Sequence, residues 1–108
     1  MNYKVLLTPP FEKQSKKLVK KYPSLKKEIA SLINSLEFDP EQGTSIGQHC
    51  FKIRISIASK QKGKSGGARI ITYVIVIESL VYLVSIYNKS ERADISNAEL
   101  KQLLNQIC

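Results

Sequence analysis

Lys52 and Arg54 alternate with Phe51, Ile53, Ile55 and Ile57, and Arg69 and Tyr73 alternate with Ile70, Thr72 and Val74. A period of two separates the faces of a strand, so each run carries an aliphatic back and a cationic front. Lys60, Lys62 and Lys64 stand between the two runs among small residues. No acidic residue falls between Glu41 and Glu78, which leaves six basic side chains in the stretch without a neighbouring counter-charge. Such a surface suits a polyanion, and its residue types are sufficient for one reaction. RNA brings its own nucleophile, the 2′-hydroxyl beside the scissile phosphate. A protein accelerates its attack by taking the 2′ proton, stabilising the charged transition state and protonating the leaving 5′ oxygen. Arg54 and Arg69 keep their charge and bond phosphate oxygens bidentately. A lysine, ordinarily titrating at about 10.4, becomes a usable acid or base when other cations crowd it, which makes Lys52 a candidate. Tyr73 or Tyr87 supplies a ring to stack on a base, or a hydroxyl. The same residues also describe a basic sheet that only holds phosphates, and residue types alone do not separate the two readings.

Other chemistries fit less well. Ala58–Ser65 follows a permissive phosphate-loop pattern, with alanine for its first glycine. A working phosphate loop opens a helix inside a parallel α/β unit; this one opens a strand, so nucleotide hydrolysis is excluded. His49 is the single histidine, Cys50 and Cys108 have neither metal spacing nor a disulfide framework, and the carboxylates are scattered. We therefore expect no metal and no cofactor. The net charge of +8 favours an anionic partner. With 43% hydrophobic and 24% charged residues in 108, the composition is that of one globular domain over 1–108. The apolar run at the N-terminus is too short for a signal peptide. The long one after Ala68 is broken by Glu78-Ser79 and rich in β-branched residues, so it reads as a hairpin and not a membrane span. A cytoplasmic protein is the expectation.

The elements that must position these residues are legible in order. Tyr3–Leu7 is a short strand. Thr8 caps a helix over Pro9–Lys21, with proline in its first turn; Phe11, Leu18, Val19 and Tyr22 form its apolar face, and Lys13, Lys16, Lys17, Lys20 and Lys21 the remainder. Pro23 interrupts it. A second helix, Leu25–Phe38, carries Leu25, Ile29, Leu32, Ile33 and Leu36 at helical spacing. Glu41–Gln48 reads as loop, followed by strands Cys50–Ile57, Ala68–Ile77 and Leu80–Tyr87. Ser96 with Glu99 forms a capping box, and Ile95 and Leu100 a staple, for a final helix buried through Leu100, Leu103, Leu104 and Ile107. The predicted fold is α+β, in the order β-α-α-β-β-β-α: an antiparallel sheet with the helices on one face and the cations on the other.

That order, the F-K-I-R strand, the stretch G-K-S-G-G-A-R-I-I-T-Y and the segment Y-N-K-S-E-R-A-D-I-S resemble the RelE/ParE superfamily of toxins from type II toxin–antitoxin systems, closest to its RelE/HigB branch. The likeness covers almost the whole chain. It implies a ribosome-dependent endoribonuclease that cuts mRNA, stops translation and is neutralised by a cognate antitoxin. By position, Lys52 and Arg54 match the family's basic pair on the second strand and Arg69 the arginine that opens the third. Lys89 matches the cation just after the fourth strand. The catalytic set expected from residues and resemblance together is Lys52, Arg54, Arg69, Lys89 and Tyr73, with Lys60, Lys62, Lys64 and Tyr87 binding RNA. The family's C-terminal tyrosine is missing; the matching region reads A-D-I-S. The alternative within the superfamily is a ParE-like toxin that poisons DNA gyrase without cutting RNA.

Overall fold

The computed structural model describes residues 2–57, 67–92 and 94–107. The expected strand β1 (Lys4–Leu7) leads into α1 (Pro9–Lys21). The Thr8 hydroxyl accepts from the Phe11 amide at 3.3 Å and donates to the Leu83 carbonyl at 2.9 Å, so the cap of α1 is tied to the middle of the sheet. α2 (Leu25–Leu36) buries Leu25, Ile29, Leu32 and Leu36, one face of a 3.6-residue period. It closes two residues before the expected Phe38, and the Tyr3 amide binds the Glu37 carbonyl at 2.8 Å.

A further strand, β2 (Thr44–Gly47), lies in what reads as loop. It is an edge strand whose side chains other than Ile46 are exposed, so it carries almost no alternation to detect. A two-residue turn joins it to β3 (Cys50–Ile55); Gln48 and His49 take the left-handed φ values of 53° and 62° that such turns require. β4 (Ala68–Ile75) ends in a 3₁₀ turn over Val76–Glu78, and β5 (Leu80–Asn88) returns antiparallel to it. A third helix, α3 (Asn97–Asn105), begins at Ser96, whose hydroxyl accepts from the Glu99 amide at 3.1 Å.

The α+β class and the order of the expected elements hold, and the five strands line up β1-β5-β4-β3-β2. Besides the extra strand β2, two features of the arrangement differ from expectation. β1 joins β5 in parallel, Lys4 beside Leu80, which makes the sheet mixed; side-chain alternation encodes which face a strand presents, not its direction. The helices also divide between the faces. α1 and α2 cover Ile53, Ile55, Ile70, Val74, Val81, Leu83 and Ile86 on one side. α3 packs on the other, with Leu100 and Leu104 clustered with Cys50, Ile71 and Val84. The sheet front is therefore apolar over part of its length, and α3 covers that part.

One irregularity decides which residues reach the front. Pairing along β4 and β5 passes from Ile71–Ser85 to Thr72–Leu83, leaving Val84 as an extra residue in a β-bulge. Leu83 packs with α1 and α2, whereas Tyr87, four positions on and of the same parity, joins the cluster on the α3 side. Thr72, beside the bulge, has its hydroxyl oxygen buried without a hydrogen-bond partner among the described residues. Among the described residues no strand lies beside the outer edge of β5 beyond Leu83, and Gln14 of α1 covers it: its Oε1 accepts from the Ile86 amide and the Ser85 hydroxyl, both at 3.1 Å.

Candidate active site

Antiparallel register places Arg54 opposite Arg69 and Arg69 opposite Tyr87, so three strands contribute one row of side chains across the sheet front. The next row holds Lys52, paired with Ile71, and the row after it Tyr73 between Cys50 and Tyr82. Lys52 and Arg54 alternate with buried Ile53 and Ile55, and this anchors both cations on the front. The cationic row lies at the end of β4 nearest Gly67. A side chain at Gly67 has no room, because its Cβ would run into the Ile55 carbonyl oxygen. The Gly67 carbonyl accepts from the Lys89 amide at 3.1 Å, which holds Lys89 at the head of β4.

The row is less open than its composition suggests. Arg54 is exposed and Lys52 half-buried, but Arg69 is 2% and Tyr87 6% exposed. Burial, and then the charge of Arg54 beside it, pull the Arg69 guanidinium below its ordinary pKa; an arginine so placed still carries its charge at neutral pH. Arg69 also donates to the Ala68 carbonyl at 3.2 Å. Burial, followed by the carboxylate of Asp94, pushes the Tyr87 phenol up to about 12, so Tyr87 is a proton donor and not a base near neutrality.

Asn88 builds the turn that follows. Its side-chain oxygen accepts from the Ser90 amide and hydroxyl at 3.1 and 2.8 Å, its carbonyl accepts from the amides of Glu91 and Arg92, and its amide group donates to the Tyr22 hydroxyl at 3.4 Å. This brings Arg92 over the Tyr87 ring, 5.4 Å from its centroid, and Asp94 against the Tyr87 hydroxyl at 3.3 Å. The same Asp94 oxygen lies 3.5 Å from Lys52 Nζ. The Ile95 amide first, and then the Lys52 charge, hold the Asp94 carboxyl below the usual carboxylate range. Arg92 is fixed in turn by Glu99 of α3 and by the Asp94 carbonyl.

The structure thus brings Lys52, Arg54, Arg69 and Tyr87 together, with Lys89 at the head of β4. It sets Tyr73 apart from the Arg54–Arg69–Tyr87 row, one row beyond Lys52. Tyr73 shares their face but stands four residues along β4 from Arg69, about 13 Å at strand rise, stacked on Tyr82 and packed in the cluster that α3 covers. Lys60, Lys62 and Lys64 lie outside the described residues. Arg92, Asp94 and Asn88 were not expected at the site. Asn88 had a readable signal, an asparagine closing a strand before a polar run; Arg92 and Asp94 reach the site only through the course of the chain after β5.

Comparison with known proteins gives consistent results. A family model described as the RelE toxin of the RelE/RelB toxin–antitoxin system matches residues 3–107. A double arginine-to-alanine mutant of the E. coli toxin RelE in the free state superposes with a TM-score of 0.63 at 14% identity, over 100% of both chains. The isolated E. coli RelE toxin gives 0.52 at 20% identity, covering 98% of this chain and 99% of that one. The same mutant in complex with an antitoxin RelBc peptide gives 0.52 at 18%, covering 100% and 96%. At these identities the structural likeness is one of fold.

Proposed function

The chain belongs to the RelE toxin family, and from that membership and the cationic row we propose that it is a ribosome-dependent mRNA endoribonuclease. It acts as one domain over 1–108, in the cytoplasm where its substrate is translated, and is held inactive by a cognate antitoxin. The observation that carries the reading is the row Arg54–Arg69–Tyr87 with Lys52 beside it: three cations and a protonated phenol on one patch of sheet. In the proposed reaction the 2′-hydroxyl attacks the adjacent phosphorus, and the bond to the 5′ oxygen of the next nucleotide breaks. Arg54 and Arg69 stabilise the charge on the non-bridging oxygens. Tyr87, protonated far above neutral pH, stacks on a base or hydrogen-bonds the phosphate. Lys52 and Lys89 are the proton-transfer groups. Lysines of α1 and, in the sequence, Lys60, Lys62 and Lys64 supply electrostatic anchoring to ribosomal RNA. Support for an antitoxin partner comes from the E. coli RelE toxin, which has been solved with an antitoxin peptide.

Product-end analysis of mRNA cut on purified ribosomes is the test. We expect a 2′,3′-cyclic phosphate and a 5′-hydroxyl, with activity surviving chelation of metal beyond what the ribosome needs. A 5′-phosphate product overturns the mechanism. Intact RNA with accumulated DNA breaks after induced expression points instead to gyrase poisoning.

A further inference from the structure

Resting on that functional reading, we propose that Arg92 and Asp94 are a built-in stand-in for the RNA, holding the groups of the site in the free protein and leaving when a nucleotide enters. The two side chains occupy the positions where the parts of a nucleotide belong. The Arg92 guanidinium lies over the Tyr87 ring, on a face available for stacking a base. One Asp94 oxygen takes the Tyr87 hydroxyl at 3.3 Å and faces Lys52 Nζ at 3.5 Å. An anionic acceptor shared by a phenol and a lysine is also what a non-bridging phosphate oxygen provides. A phosphate brought to Lys52 meets the Asp94 carboxylate at short range, and two like charges there repel while only one can hold the cation.

The arrangement is built to hold and to yield. Arg92 is anchored by its amide to the Asn88 carbonyl at 3.0 Å, by Nε to the Asp94 carbonyl at 3.0 Å, and by its guanidinium to Glu99. These contacts specify one resting position. The contacts to the site itself are looser: the Asp94 side chain is 61% exposed and its ion pair with Lys52 spans 3.5 Å, a part-exposed pair of the weak kind. A polyanion that offers several phosphates outcompetes it. In the free state Asp94 keeps Lys52 compensated and the Tyr87 hydroxyl oriented, so these two anion-binding positions are already filled.

The experiment compares Asp94→Asn with Glu91→Gln. Both remove one negative charge from the same stretch, but Glu91 is paired with Lys21 of α1 where Asp94 is paired with Lys52, which controls for net charge. Asparagine retains an acceptor for the Tyr87 hydroxyl and the Ile95 amide; Asp94→Ser replaces it if thermal melting shows a folding defect. The probe is a short 2′-O-methyl RNA, which has no nucleophile to react, titrated into purified protein at low salt. We expect Asp94→Asn to bind it about two- to fivefold more tightly than wild type, the gain from losing a weak internal competitor, and Glu91→Gln to gain less. Equal gains for the two variants, or weaker binding by Asp94→Asn, overturn the proposal. If the wild-type chain cuts mRNA on ribosomes and Asp94→Asn binds no better than Glu91→Gln, the stand-in alone falls. If the wild type cuts no mRNA, the functional reading falls and takes the stand-in with it.

Discussion

Arg54 and Arg69 face each other directly across the β3–β4 ladder. Like charges in that position are destabilising, and burial removes from Arg69 the water that would screen them. A phosphate between the two would relieve that repulsion. We expect Arg54→Gln to raise stability by about 0.2–1 kcal/mol, the scale of a cross-strand pair, while lowering the cleavage rate. Denaturation and single-turnover cleavage on the same preparation test both; a variant that loses stability shows that the repulsion is already compensated.

Arg69 is the better placed of the two to act in the transition state, since it sits in mid-row between Arg54 and Tyr87. Arg69→Ala should lower cleavage by about 10²-fold or more, the usual effect of losing one preorganised charge stabiliser. Ribosome binding should change far less. A folded variant that binds ribosomes and cuts at the wild-type rate removes Arg69 from the mechanism.

Alkaline pH should destabilise the protein through two groups. Burial raises Cys50 from 9.0 to about 11, and burial with Asp94 raises Tyr87 from 10.0 to about 12. Each group is neutral when protonated, and the folded state holds its proton more tightly than the unfolded chain. Their contributions are therefore complete below pH 9 and pH 10 respectively, and are lost as pH rises through 11 and 12. The Cys50 part amounts to about 2–3 kcal/mol. Cys50→Ala should flatten the stability profile between pH 9 and 11, and Asp94→Asn should bring the Tyr87 titration, read by ultraviolet absorbance, down toward 10. A wild-type profile flat to pH 12 contradicts the assignment.

Thr72 offers a stabilising change. Its hydroxyl is fully buried with no partner among the described residues, and valine has nearly the same shape. Thr72→Val should gain about 1 kcal/mol by removing the desolvated oxygen. A loss of stability in chemical denaturation means that the hydroxyl is satisfied after all.

Much of this was legible in the chain. Lys52 and Arg54 belong to a strand whose sequence alternates from Phe51 on, so their common face followed from spacing alone, as did the stripe of Leu25, Ile29, Leu32 and Leu36 on α2; β4 is buried on both faces, and only its parity and pairing set Arg69 beside them. Tyr87 was a candidate from its residue type, but its place in the row was not legible, because the extra residue at Val84 reverses the parity of everything after it and no residue type announces a bulge. Tyr73 went the other way: its parity was read correctly, yet α3 crosses to the same face and packs over its cluster. Periodicity shows that a helix has an apolar stripe, not which side of a sheet receives it. Asp94 in the sequence is one carboxylate in a polar run; only the turn built by Asn88 sets it against Lys52 and Tyr87.

The parallel pairing of β1 with β5 has a consequence for how the protein is made. Lys4 pairs with Leu80, so β1 waits for its partner strand until 76 further residues have been added. At about 5–20 residues per second, that wait lasts about 4–15 s. Until then α1 and α2 have only part of the surface they cover, since Val81, Leu83 and Ile86 are still to come. The Arg54–Arg69–Tyr87 row is incomplete over the same interval, because its third member arrives on that strand. A nascent chain of this topology therefore cannot complete the row until nearly all of the sheet has been synthesised, and its slow, long-range closure delays the finished fold further.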